Sequence, residues 1–350
     1  MHLFPLAGFL ALIPSAFGAP QVADEDYIAF IDNTAKILAL DSFGGCSGTT
    51  PGDSAGAGPP QPRRGGGDGS FVDEFDRPDN FGLCCTPIDG FFPVAEQRTA
   101  VNMTVADQFA LSAIASLQTC GGPTIRWFPG RDDLPGLEPS TSPNHRVVNP
   151  DGLLPSPHDS YTVVVGKFER MGFSKVEMMT VVTGSHTIGG VHGANNPALT
   201  NETFLPFDST PGIFDNDVFK QVLDGYCPLP VDCEMAADPE IRSTIQSVRP
   251  LLCIYHPPSL FYGIPSLAAD ESFFFASYST AFEKFLNLTV SPLTYSLSHA
   301  VDPAIVASVT TNSTKFPFNR VTLKPLPPRP VSPLAPIPFP CQLGILLSPN

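Results

Sequence analysis

A capped apolar helix that ends in a histidine narrows what this chain can become more than any other feature. Ser174 opens it, with Glu177 three residues on, the spacing of a reciprocal capping box. Val176, Met179 and Val182 follow at helical spacing, and Thr183-Gly184-Ser185-His186-Thr187-Ile188-Gly189 closes the segment. Downstream lies Asp208-Ser209-Thr210-Pro211-Gly212-Ile213-Phe214-Asp215, a loop rich in side-chain oxygens. An imidazole at the end of a buried helix, followed by such a loop, suggests a metal-centred cofactor beside a hard cation.

Other segments share the helical period. Tyr27 to Leu40 carries Ile28, Ile31, Ala35 and Leu38 on one face. Thr104 to Leu117 repeats Val105, Phe109, Ala113 and Leu117, with Thr104 and Asp107 placed as a capping box. Ser160 to Met171, Asp215 to Leu223 and Asp238 to Val248 also read as helices. Asp270 to Leu286 sets Phe274, Tyr278, Phe282 and Phe285 on one side. Strand signals are few and no internal repeat occurs, so the predicted fold class is mainly α. Phe43 to Gly69, rich in Gly, Pro and Ser, reads as irregular loop, and Pro129 to Pro157 as a connector. From Phe316 onward proline bars both helix and central strand. That tail is expected to run extended over the surface, tied down by Cys341.

The bulk numbers bound the function. A chain of 350 residues with 42% hydrophobic and 15% charged residues buries a sizeable core. Its net charge of −15 argues against nucleic acid or an anionic membrane as partner. Residues 1–18 have an apolar centre and a small-residue end, as a secretory signal peptide does. No later apolar run reaches the ~18 residues needed to span a bilayer. The eight cysteines include no Cys-x-x-Cys, which favours disulfides over zinc. Cys227 and Cys233 suit a local bridge, and Cys84 and Cys85 stay open. Sequons start at Asn102, Asn201, Asn287 and Asn312. The expectation is a secreted, monomeric glycoprotein. Residues 1–18 would be its signal peptide, 19–315 one domain and 316–350 a Pro-rich tail.

Three segments, in order, carry a family resemblance. Gly184-Ser185-His186-Thr187-Ile188-Gly189 resembles the proximal-histidine motif of the plant, fungal and bacterial haem peroxidase superfamily. Leu229-Pro230-Val231-Asp232, then Asp238-Pro239-Glu240-Ile241-Arg242, resembles its proximal-aspartate segment. Phe207 to Asp215 resembles the proximal calcium loop of the class II members, the lignin, manganese and versatile peroxidases secreted by fungi. Cys120 to Arg131 and Asp151 to Pro157 are similar to further family segments, and the likeness covers roughly residues 27 to 290.

The resemblance implies a helical fold with haem b between a distal half, about 19–145, and a proximal half, about 146–290. His186 would be the axial iron ligand and Asp232 its hydrogen-bond partner. Thr187, Asp208, Thr210, the Ile213 carbonyl and Asp215 would hold a proximal Ca²⁺, and Gly66, Asp68 and Ser70 a distal one. Asn80 matches the distal asparagine. Cys46–Cys120 and Cys253–Cys341 would be two family disulfides. The implied reaction is oxidation of small phenolic or aromatic donors by hydrogen peroxide in one-electron steps.

The distal half departs from the pattern. The family's Arg-x-x-Phe-His-Asp motif is absent, and no histidine occurs between Ala19 and Asn144. The aspartate that completes the distal Ca²⁺ site belongs to that missing helix. Arg63 and Arg64 read as a solvated basic pair. Peroxide cleavage needs a base to move a proton between the two peroxide oxygens and a cation to stabilise developing charge. Turnover is therefore expected to be weak or absent, and the alternative is a non-catalytic haem- and calcium-binding glycoprotein. The position of the manganese-binding acid falls on His192, and that of the family's surface tryptophan on Val181. Trp127, the one tryptophan, reads as core.

Overall fold

A computed structural model describes residues 24–39, 66–70, 103–133, 152–246, 266–288, 298–312 and 320–326. Helices dominate them: α1 (Asp24–Ala39), α2 (Val105–Thr119), α3 (Tyr161–Met171) and α4 (Lys175–Ser185) come first. Then follow α5 (Asp217–Leu223), α6 (Pro230–Ala237), α7 (Pro239–Ile245), α8 (Glu271–Leu286) and α9 (Pro303–Asn312). Two short strands, β1 (Gly190–Val191) and β2 (Leu205–Pro206), pair antiparallel with Val191 opposite Leu205. The architecture is mainly α, as the sequence predicts.

Local signals explain most boundaries. α1 begins before the expected Tyr27 because Asp24, Glu25 and Asp26 complement the positive helix N-terminus. The box opening α4 is complete: the Ser174 hydroxyl accepts from the Glu177 N–H, and the Glu177 carboxylate accepts from the Ser174 N–H. Gly172 ends α3 at φ 89°, a left-handed conformation that favours glycine. At α2 the expected box is only half made. Thr104 accepts from the Asp107 N–H, but the Asp107 carboxylate turns away to Gly130 N, at 2.7 Å, and to Arg131. Asp133 accepts from Val105 N and Ala106 N, both at 2.9 Å, and so satisfies the first turn from a distance in sequence.

Two helices lie outside the sequence expectation. α6 and α9 each open on a proline, which a helix accepts at its first position because that N–H has no partner anyway. α7 ends at Ile245, short of the expected Val248, because Gln246 is already extended; residues 247 and 248 lie outside the described ones.

Packing gives two groups. α1 lies against α2 and α9, and Trp127, 1% exposed, meets Tyr27 edge-on at 5.2 Å. α4 is central to the other group, touched by α3, α5, α6, α7 and α8. Between α4, α5 and α8 stand Phe214, Phe219, Phe274, Tyr278 and Phe282, all essentially buried. The groups are joined at Arg131, whose guanidinium is buried against Asp107 of α2 and the Leu286 carbonyl at the end of α8.

Cys227 and Cys233 form a disulfide, as expected of a local bridge. Cys120 is disulfide-bonded as well. The pairings Cys46–Cys120 and Cys253–Cys341 rest on Cys46, Cys253 and Cys341, which lie outside the described residues. So do residues 1–18, Arg63, Arg64, Asn80, Cys84 and Cys85. Among the described residues no helix is long and apolar enough to cross a membrane.

Candidate active site

His186 is the C-cap of α4, with φ −72° and ψ 1°, so its ring leaves the helix end just where the backbone turns. Its Nδ1 lies 3.0 and 3.1 Å from the two carboxylate oxygens of Asp232. The Asp232 side chain is 3% exposed and sits in the first turn of α6. Thr183, one turn before His186 on α4, donates its hydroxyl proton to Asp232 Oδ1 at 2.7 Å. An ionised carboxylate accepts hydrogen bonds only, so the imidazole donates through Nδ1–H, and in the neutral ring the lone pair is on Nε2. Phe207 stacks on the ring at 4.6 Å and 29°. Neither Thr183 nor Phe207 was among the sequence candidates. The usable signals were Thr183 at helical spacing from the histidine and Phe207 beside the first loop aspartate.

The helix end is set by close packing. The Ser185 hydroxyl donates to Val181 O at 2.6 Å, so Tyr278 must be the donor in its 2.8 Å contact with Ser185. A Cβ at Gly184 would fall 2.9 Å from Phe274 Cε2 and 3.0 Å from Tyr278 Cδ2. Gly184→Ala is therefore expected to cost about 1–3 kcal/mol by overpacking, read from the midpoint of urea unfolding. An unchanged midpoint would mean that α4 and α8 can separate freely.

The residue after His186 enters the oxygen-rich loop. Thr187 Oγ1 donates to Asp208 Oδ2 at 2.7 Å and lies 3.3 Å from Asp215 Oδ1. Thr210 Oγ1 is 3.3 Å from both Asp208 Oδ1 and Asp215 Oδ1, while Thr210 N donates to Asp208 at 2.8 Å. Ile213 N bonds the Thr210 carbonyl and holds the loop closed. Asp208 is wholly buried, and that burial pushes its carboxyl well above the usual carboxylate range; Asp215 is raised by the same cause. Among the described residues no lysine or arginine forms an ion pair with either. Two carboxylates and two hydroxyls thus meet in an all-oxygen cluster, the donor chemistry that hard cations take. Among the described residues no three acidic, histidine or cysteine side chains are arranged together as a metal site.

The other candidates stand apart from this cluster. Gly66, at φ 119°, Asp68 and Ser70 make a turn of their own, with Ser70 N donating to Asp68 at 3.1 Å. His192 is exposed in the loop that follows β1 and rests on Phe204 at 5.1 Å; partial desolvation lowers its pKa. Val181, at the family's surface-tryptophan position, is 3% exposed.

Comparison with known proteins agrees with the helical fold. A family model described as Peroxidase matches residues 30–249. The chain is 29% identical over 193 residues to a Cryptococcus neoformans protein named "Putative heme-binding peroxidase", covering 53% of this chain and 50% of that one. It is 26% identical to the peroxisomal L-ascorbate peroxidase 5 of Arabidopsis thaliana, covering 77% and 86%. To the mitochondrial cytochrome c peroxidase of Yarrowia lipolytica it is 28% identical, covering 53% and 50%. The chain thus spans about half the length of two of these three relatives. With residues 30–249 matched and the helical architecture in place, the chain belongs to the peroxidase family, in the plant-type superfamily.

Proposed function

We propose that the chain is a secreted haem peroxidase of the fungal class II kind, in which His186 Nε2 holds the iron of haem b. The observation that carries this reading is the buried Asp232 carboxylate on His186 Nδ1, which leaves Nε2 as the one free ring donor. Haem bound there supplies the redox centre at which hydrogen peroxide is reduced. Asp232 gives the ring anionic character, which makes it a stronger donor to iron. Thr183 holds the carboxylate in place, and Phe207 covers one face of the ring and excludes water from it.

Calcium at Thr187, Asp208, Thr210, the Ile213 carbonyl and Asp215 would fix the chain immediately after the axial ligand. The class II assignment draws on this loop; the relatives named above are ascorbate, cytochrome c and heme-binding peroxidases. A second ion at Gly66, Asp68 and Ser70 would lack the acid carried by the missing distal helix. Secretion is supported by the Cys227–Cys233 disulfide and by disulfide-bonded Cys120, since such bonds persist in oxidising compartments. Asn201 is exposed, as a glycan acceptor must be, whereas Asn287 Oδ1 is buried without a hydrogen-bond partner. The donors would be small phenols or other aromatics, and turnover would be weak without a distal histidine. A second reading, a non-catalytic haem- and calcium-binding glycoprotein, is favoured by that same absence.

Asp232→Asn tests the site. Loss of this outer carboxylate is expected to weaken haem binding roughly 10- to 100-fold in a haem titration of apoprotein. Equal affinity in the variant would contradict the assigned role of the pair.

A further inference from the structure

The C-terminal segment at 320–326 lies on the oxygen-rich loop and grips it at one residue. Val321 N donates to the Ser209 carbonyl at 2.7 Å. Arg320 Nη1 donates to Ser209 Oγ at 2.7 Å and to Asp217 Oδ1 at 3.2 Å. The Ser209 hydroxyl in turn donates a hydrogen bond to Asp217 Oδ2 at 2.5 Å. The result is a relay from Arg320 through Ser209 to a carboxylate that is 2% exposed. Farther along, Lys324 meets Glu202 at 2.7 Å in an exposed pair.

Ser209 stands between Asp208 and Thr210, two of the assigned calcium ligands. The segment therefore restrains that stretch through both its backbone and its side chain. Asp217 is a third carboxylate beside Asp208 and Asp215, and Arg320 is the arginine that pairs with it. We propose that Arg320 is a positioning residue for the proximal calcium loop, through which the C-terminal segment slows release of the ion beside the haem-bearing helix. The inference rests on the calcium reading given above. Arg320 is 63% exposed, so its charge is well screened from the ion, and the hydrogen-bonded order of the loop is what its removal loses.

The test uses the full-length, haem-loaded, calcium-loaded protein. Calcium release into excess chelator is followed by stopped flow for wild type, Arg320→Ala, Arg320→Gln and Lys324→Ala. Arg320→Ala is expected to release calcium roughly three- to ten-fold faster, the size of a partly exposed charge-assisted hydrogen bond. Arg320→Gln, which retains a donor, should fall between it and wild type, and Lys324→Ala should match wild type. Urea unfolding of the calcium-free proteins separates positioning from general stability. A lower calcium-free midpoint with unchanged release in Arg320→Ala would make the contact merely structural and overturn the proposal. Release that is unchanged or slower with no stability change would overturn it too. A wild-type protein that holds no calcium would instead remove the calcium reading on which the proposal stands.

Discussion

The haem-loaded protein mixed with hydrogen peroxide is expected to react about 10²–10⁴-fold more slowly than a family member with an intact distal pair, the usual contribution of a positioned base. A hindered base in solution, such as 2-methylimidazole, should then accelerate the reaction in proportion to its concentration. The argument is one of proton inventory. Peroxide must lose a proton from one oxygen and gain it on the other, and no histidine occurs between Ala19 and Asn144 to carry it. His186 has its Nδ1 committed to Asp232 and its Nε2 assigned to iron, and Asp208 and Asp215 bond the hydroxyls of their own loop. Stopped-flow absorbance at the Soret band measures both rates. Fast reaction without added base, and no response to it, would show that another group in the chain acts as the base.

The second large effect concerns stability. Arg131 is 2% exposed, yet all three guanidinium nitrogens are hydrogen-bonded. Nη1 donates to Asp107 at 2.8 Å and to the Phe128 carbonyl at 2.7 Å; Nε and Nη2 both reach the Leu286 carbonyl. The ring of Trp127 lies beneath it at 5.4 Å. Arg131→Ala leaves the Asp107 carboxylate buried without its counter-ion, and such a loss costs about 3–5 kcal/mol. That is a large share of the ~5–15 kcal/mol by which domains are stable, so the variant should accumulate poorly as folded protein. Arg131→Lys keeps the charge on Asp107 and loses the fork to Leu286, and should cost less. Urea unfolding orders the two variants. Equal and small losses would show that the pair is better solvated than its burial indicates.

What could be read beforehand divides along physical lines. α3, α4 and α8 were legible because polar caps bracket apolar residues of helical period, and both signals are local. α6 was not, because Leu229 ahead of its opening proline offers no polar cap, whereas Asp238 marks α7, which opens on a proline too. Asp107 shows the limit of a local motif: the spacing was right, but a buried guanidinium from Arg131 outbid the backbone N–H for its carboxylate. The same limit governs the candidate site. The types of residue and their order pointed to His186, Asp232 and the loop from Asp208 to Asp215. Phe207 against the ring and Arg320 on Ser209 emerge only when separate segments meet in space.

The central claim is that His186 Nε2 carries haem iron, and the Soret spectrum of reconstituted protein tests it most directly. Wild type titrated with haem should saturate at one haem per chain and show a high-spin, single-imidazole spectrum. His186→Ala, folded to the same far-UV circular dichroism, should lose that spectrum, and free imidazole should restore it. An identical Soret band in wild type and His186→Ala would contradict the claim.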